Sequence, residues 1–262
     1  MDLEIAGKRA LVLASSRGLG RAIAERLARE GADVIICGRS EDKLAEAAGA
    51  ITALGGGTVT HTHADLADPS VVDHLEAAVK ERFCALDILV NNTGGPPPGA
   101  MSEADSEVVA RQFDMMVRRV MDITARFVPA MRESGWGRVL TVASSGVEQP
   151  IPNLGLSNAL RSALVGWSKS MSNELAADGI TFNLLLPGRI QTERVDELDA
   201  ANAKRNDLSV DAVREAARKA IPAGRYGTVE EFASVAAFLV GGPASYMTGG
   251  LVRCDGGSIR SV

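Results

Sequence analysis

A chain of 262 residues, 46% hydrophobic but only 4% aromatic, is long enough for one large α/β unit whose interior is filled by Ala, Val, Leu and Ile. Its formal net charge of −5, with arginines scattered among acids, argues against a polyanionic partner such as nucleic acid. No apolar run reaches the roughly 18 residues of a membrane span, the first residues carry acids where a leader would be basic, and the three cysteines, Cys37, Cys84 and Cys254, lie far apart, so a cytoplasmic protein with free thiols is expected.

Short β-rich runs alternate with amphipathic stretches along the chain. "KRALVLA" (8–14) is followed by a helical pattern over 18–31, "DVIICG" (33–38) by one over 40–54, and "TVTHTH" (58–63) by one over 69–82. "LDILVNN" (86–92) precedes a long pattern over 103–133, "GRVLTVA" (137–143) one over 154–178, and "ITFNLLLP" (180–187) a polar excursion over 189–220 and a helix over 228–240; "LVRCD" (251–255) closes the series. Such alternation predicts right-handed βαβ units, hence a Rossmann-type doubly wound parallel sheet of about seven strands in a single domain spanning 1–262. Two segments deviate, the rigid "GGPPPGA" loop (94–100) and the 189–220 insertion. Both follow carboxyl ends of strands, where ligands bind in this architecture, and the insertion is the expected substrate lid. Phe113, Val117, Val120, Thr124, Phe127 and Met131 recur at three- and four-residue intervals, an apolar stripe of which part covers the sheet, and the helices at 103–133 and 154–178 are expected to form a homo-oligomeric interface.

"ASSRGLGRAIA" (14–24) joins the first strand to the first helix. Gly18 and Gly20 let the backbone approach a diphosphate, and the helix N-terminus aims its free N–H groups and dipole at the phosphates. The stretch resembles the TGxxxGxG loop of the short-chain dehydrogenase/reductases. "HADLAD" (63–68) is similar to that family's DVTD segment, "NNTG" (91–94) to NNAG, "LLLPGRIQT" (184–192) to its PG segment, and "PASYMTGGLVRCDGG" (243–257) to ASYITGQ…VDGG. The resemblance spans nearly the whole chain and is nearest to reductases of the 3-oxoacyl carrier-protein type. It implies cofactor contacts from Ala14, Ser16, Arg17, Gly18, Leu19 and Gly20 in the loop, Asp65 and Leu66 at the adenine, Asn92, and Pro187 with Gly188. Leu13 and Ala14 replace the family's Thr and Gly, which should weaken or rearrange the loop without abolishing binding. NAD users of this fold place an acid about 20 residues on to hold the ribose 2′-OH. Here "CGRS" stands instead, and Arg39, helped by Arg17, can pair with a 2′-phosphate, so NADP(H) is the expected cofactor.

The family's Asn-Ser-Tyr-Lys tetrad is altered. Aligning "SALVGWSKS" (162–170) with KAALxGFxKS puts Arg161 at the lysine and Ser157 at the tyrosine; Ser144 keeps the serine, and Met116 takes the asparagine. An aliphatic hydroxyl is a far weaker acid than tyrosine, Met116 holds no water, and Arg161 keeps its proton while offering fixed charge and several donors. It can stabilise an oxyanion or clamp a ribose or an anionic substrate. His61, His63 and Asp65 alternate along one strand as metal ligands would, but Asp65 has the adenine to attend to and no ligand cluster accompanies it, so no metal is expected. His74 sits among helical charges, and there is no GxSxG elbow for a hydrolase. These residues predict an NADP(H)-dependent oxidoreductase acting on a carbonyl or alcohol through a non-standard site of Ser144, Ser157 and Arg161. The alternative is a nucleotide-binding sensor or partner subunit without turnover.

Overall fold

The β-rich runs pair side by side, all in one direction. The computed structural model describes residues 1–261, and its strands are β1 (Arg9–Val12), β2 (Asp33–Gly38), β3 (Val59–His63), β4 (Ile88–Asn91), β5 (Gly137–Val142), β6 (Ile180–Pro187) and β7 (Leu251–Cys254). They form a parallel sheet in the order β3-β2-β1-β4-β5-β6-β7, with Leu11 opposite Ile35 on one side and Leu89 on the other. The helices are α1 (Gly18–Arg29), α2 (Glu41–Thr52), α3 (Val71–Phe83), α4 (Ser106–Phe113), α5 (Arg119–Ser134), α6 (Gly155–Leu175), α7 (Glu193–Asn206), α8 (Val210–Ala220) and α9 (Val229–Leu239). Side chains alternate across a strand, so Ala10 and Val12 pack with α1, α2 and α9, whereas Leu11 and Leu13 pack with α3, α5 and α6. The strand order reverses between β1 and β4, and that crevice opens at the strands' carboxyl ends. Among the described residues no helix is long and apolar enough to cross a membrane.

The expected helix over 103–133 is broken. A π turn over Asp114–Arg118 separates α4 from α5. The extra residue rotates the face before it, so Phe113 is 42% exposed while Val117, Val120, Thr124, Phe127 and Met131 are buried. These buried side chains belong to the chain's own core, and Phe113 is the member of the stripe that stays exposed. The 189–220 excursion folds as α7 and α8, capped by Thr192 and Ser209. A buried carboxylate ties these two helices down. Asp199 of α7 accepts hydrogen bonds from Arg189, just after β6, and from the Tyr226 hydroxyl at 2.9 Å, with Arg214 of α8 at 3.8 Å.

Candidate active site

A cleft of about 1140 Å³ runs along the carboxyl ends of β1, β2, β4, β5 and β6. The loop after β1 forms its nucleotide end. Ala14 takes a φ of +47°, in the left-handed region where glycine is at ease, and the Asn92 amide holds the turn by donating to the carbonyls of Leu13 at 3.2 Å and Ala14 at 3.1 Å. A Cβ on Gly20 would come within 2.6 Å of the Ala14 oxygen and 2.7 Å of Asn92 Nδ2, so only glycine fits there. Gly18 supplies a second positive φ, +59°. Ser15 fixes the loop from below, its hydroxyl donating to the Val12 carbonyl at 2.6 Å and accepting from the Cys37 N–H at 3.0 Å.

Ala14, Ser16, Arg17, Gly18, Leu19, Arg39, Asp65, Leu66, Asn92, Pro187 and Gly188 all line this cleft, while Gly20 lies behind it as a spacing element. The two arginines expected at the 2′-phosphate differ. Arg39 is exposed with no ion pair among the described residues, but Arg17 is paired with Glu193 and lies 3.9 Å from Glu197, both on α7. The histidines are elsewhere: His61 Nε2 is 2.9 Å from Glu41, His74 Nε2 is 2.9 Å from the Thr62 hydroxyl, and His63 is exposed. Among the described residues no group of three or more His, Cys, Asp or Glu side chains is placed to hold a metal ion. Cys37 touches the adenine end, but burial pushes its thiol up to about 12 and leaves it unreactive at neutral pH.

Ser144, Ser157, Arg161 and Met116 converge on the other end. Ser144 lies two residues beyond β5 and its hydroxyl accepts from the Gly146 N–H at 3.0 Å. Ser157 and Arg161 are one turn apart on α6 and so share a face. The Arg161 guanidinium is buried, donating to the carbonyls of Val142 at 2.8 Å, Gly94 at 3.4 Å and Thr93 at 3.5 Å, with no carboxylate paired to it among the described residues. Burial, with Arg194 nearby, lowers its pKa to about 10, so it stays a cation at neutral pH. Met116 is buried in the π turn and presents a thioether where a polar amide would hold water. Thr93 Oγ1 is buried beside Arg161's carbonyl partners and has no protein partner. Further wall residues carry no sequence motif: Gln112, Met115, Gln149, Ile151, Leu154 and Leu198. They come from α4, the π turn, the segment before α6, and α7, far apart in the sequence.

The chain belongs to the short-chain dehydrogenase/reductase family, since the family model described as Enoyl-(Acyl carrier protein) reductase matches residues 13–258. It is similar to the D-beta-hydroxybutyrate dehydrogenase of Rhizobium meliloti, 31% identical over 95% of this chain and 98% of that one. The 3-oxoacyl-(acyl carrier protein) reductase of Salmonella typhimurium is 32% identical over 96% and 97% of the two chains. The crystal structure of L-sorbose reductase from Gluconobacter frateurii, complexed with NADPH and L-sorbose, superposes with a TM-score of 0.94 at 31% identity over the full length of both.

Proposed function

We propose that this protein transfers hydride between NADP(H) and a carbonyl or alcohol through a site organised by fixed charge. The observation that carries the reading is Arg161, a buried guanidinium without a carboxylate partner in the cleft that the glycine loop opens. The fit of a dinucleotide is supported by the glycine loop that lines the cleft, its tight turn kept by Gly20 behind it, and by the unpartnered Thr93 hydroxyl. Ala14, Ser16, Gly18, Leu19, Asn92, Pro187 and Gly188 would hold it, Asp65 and Leu66 would flank the adenine, and unpaired Arg39 favours a 2′-phosphate. A relative solved with NADPH supports that choice. Bound there, the nicotinamide supplies or accepts hydride.

Ser144 and Ser157 donate hydrogen bonds to the substrate oxygen, Arg161 stabilises the negative charge that develops on it, and water delivers the proton. Neither serine is a general acid near neutral pH, which favours substrates needing little acid assistance. We read the chain as one nucleotide-binding domain with 189–220 as its lid, in the cytoplasm, working as a homodimer or homotetramer; a monomer by light scattering at micromolar concentration would refute the oligomer. A second reading, nucleotide binding without turnover as a sensor or partner subunit, is supported by the cleft lining, which among the described residues includes no tyrosine and no histidine. Steady NADPH oxidation over a panel of ketones and aldehydes is the expected result. Tight NADPH binding with no turnover on the panel would favour the second reading.

A further inference from the structure

The charge lining the cleft runs against the charge of the chain. The chain carries a net −5, yet the lining presents arginines 17, 39, 161, 189, 194 and 260 against only Asp65, Glu193 and Glu197 as carboxylates. Cofactor phosphates account for the nucleotide end, and Arg189 is turned to Asp199. Of the rest, Arg260 is exposed beyond β7, which leaves two cations at the reacting end. Arg161 rests on three backbone carbonyls, and Arg194 reaches over from α7, its Nη2 donating to the Pro96 carbonyl at 3.0 Å above Gly95. They lie close enough for Arg194 to oppose the charge on Arg161. Like charges held together in a desolvating cleft are unfavourable until an anion comes between them.

The partner that Arg194 now has is a weak one. Glu197 Oε2 stands 3.3 Å from its Nη1, longer than the roughly 2.7–2.9 Å of a strong charge-assisted bond, and both side chains are about half exposed. Glu197 also lies 3.9 Å from Arg17 and so has a second cation to turn to. The rest of this end is aliphatic, with Met115, Met116, Ile151, Leu154 and Leu198 in the walls and no aromatic ring among the described lining residues.

We infer that the substrate is an aliphatic oxo acid or hydroxy acid whose carboxylate docks on Arg194 in place of Glu197, leaving Arg161 for the reacting oxygen. The inference rests on the hydride-transfer reading for the role of that oxygen, but the docking itself is separable from turnover. The test is calorimetry, with and without NADPH, of 2-oxobutyrate and 4-oxopentanoate against their methyl esters. At least one acid should bind more tightly than its ester by about tenfold or more. Arg194→Gln should bring that acid down to its ester, Arg194→Lys should keep part of the gap, and Glu197→Gln should tighten the acid by removing its competitor. Equal binding of acids and esters, failure of both acids to bind, or a gap that survives Arg194→Gln would overturn the inference. Acid binding through Arg194 with no NADPH oxidation would sink the hydride reading and leave this one standing. Turnover of acids and esters at equal affinity would do the reverse.

Discussion

The nucleotide end and the reacting end of the cleft lie on the same sheet edge but depend on different kinds of atoms. The first is made of backbone: N–H groups at the start of α1, a left-handed turn at Ala14, and a space behind it that only Gly20 leaves open. It tolerates Leu13 and Ala14 because the turn survives both. The second depends on side chains with one chemistry each, and exchanging Ser157 or Arg161, one turn apart on α6, would change which groups face the cleft while hardly disturbing the helix that carries them. Backbone sites degrade gradually, whereas side-chain sites change in kind.

The largest effect should come from breaking the reacting end. Arg161→Ala removes both the buried cation and its ties to Val142, Thr93 and Gly94, and should lower kcat by about a hundredfold to a thousandfold, as for loss of one oxyanion donor. Full activity after the change would remove Arg161 from the chemistry. Since Arg161 is charged below a pKa of about 10, the parent's rate should be flat across neutral pH and fall only as pH rises through that value. The combined change Ser157→Tyr, Arg161→Lys and Met116→Asn should move that limb toward neutrality and improve simple ketones, and single changes should not add up to it.

At the nucleotide end, Arg39→Ala should cut the preference for NADPH over NADH by about tenfold to a hundredfold, the range of a charge-assisted phosphate contact. Titration with both nucleotides checks it, and an unchanged ratio would return Arg39 to the solvated surface. The smallest effect should be Ala14→Gly. It relieves a left-handed residue that costs about 1–2 kcal/mol but loosens the unfolded chain, so Tm should rise by no more than about 2–4 °C. A fall in Tm would mean that the Ala14 methyl packs better than its backbone strains.

Most of the scaffold was legible because its signals are local. The strand runs were placed to within two residues at every end, the largest differences being that β1 stops at Val12, where the Ala14 turn pulls the chain away, and that β4 begins at Ile88. Ser157 and Arg161 could be put at the cleft because a helix fixes register from its flanking motif. The break at Asp114–Arg118 left no trace, since a π turn needs no special residue and the apolar spacing runs on through it. The pairing of Arg17 with Glu193 spans 176 positions and was equally hidden, as was Arg194 over Pro96. Contacts of this kind depend on where α7 packs.

That Arg17 pair bears on how fast the nucleotide comes and goes. Glu193 and Glu197 tie the first turns of α7 to the glycine loop through one half-exposed guanidinium, so an anion that recruits Arg17 would have to displace Glu193. Entry and release would then share a single slow step, the exchange of one anion for another at Arg17. Exposed pairs weaken as ions crowd around them, and residence time on the protein should therefore shorten as ionic strength is raised.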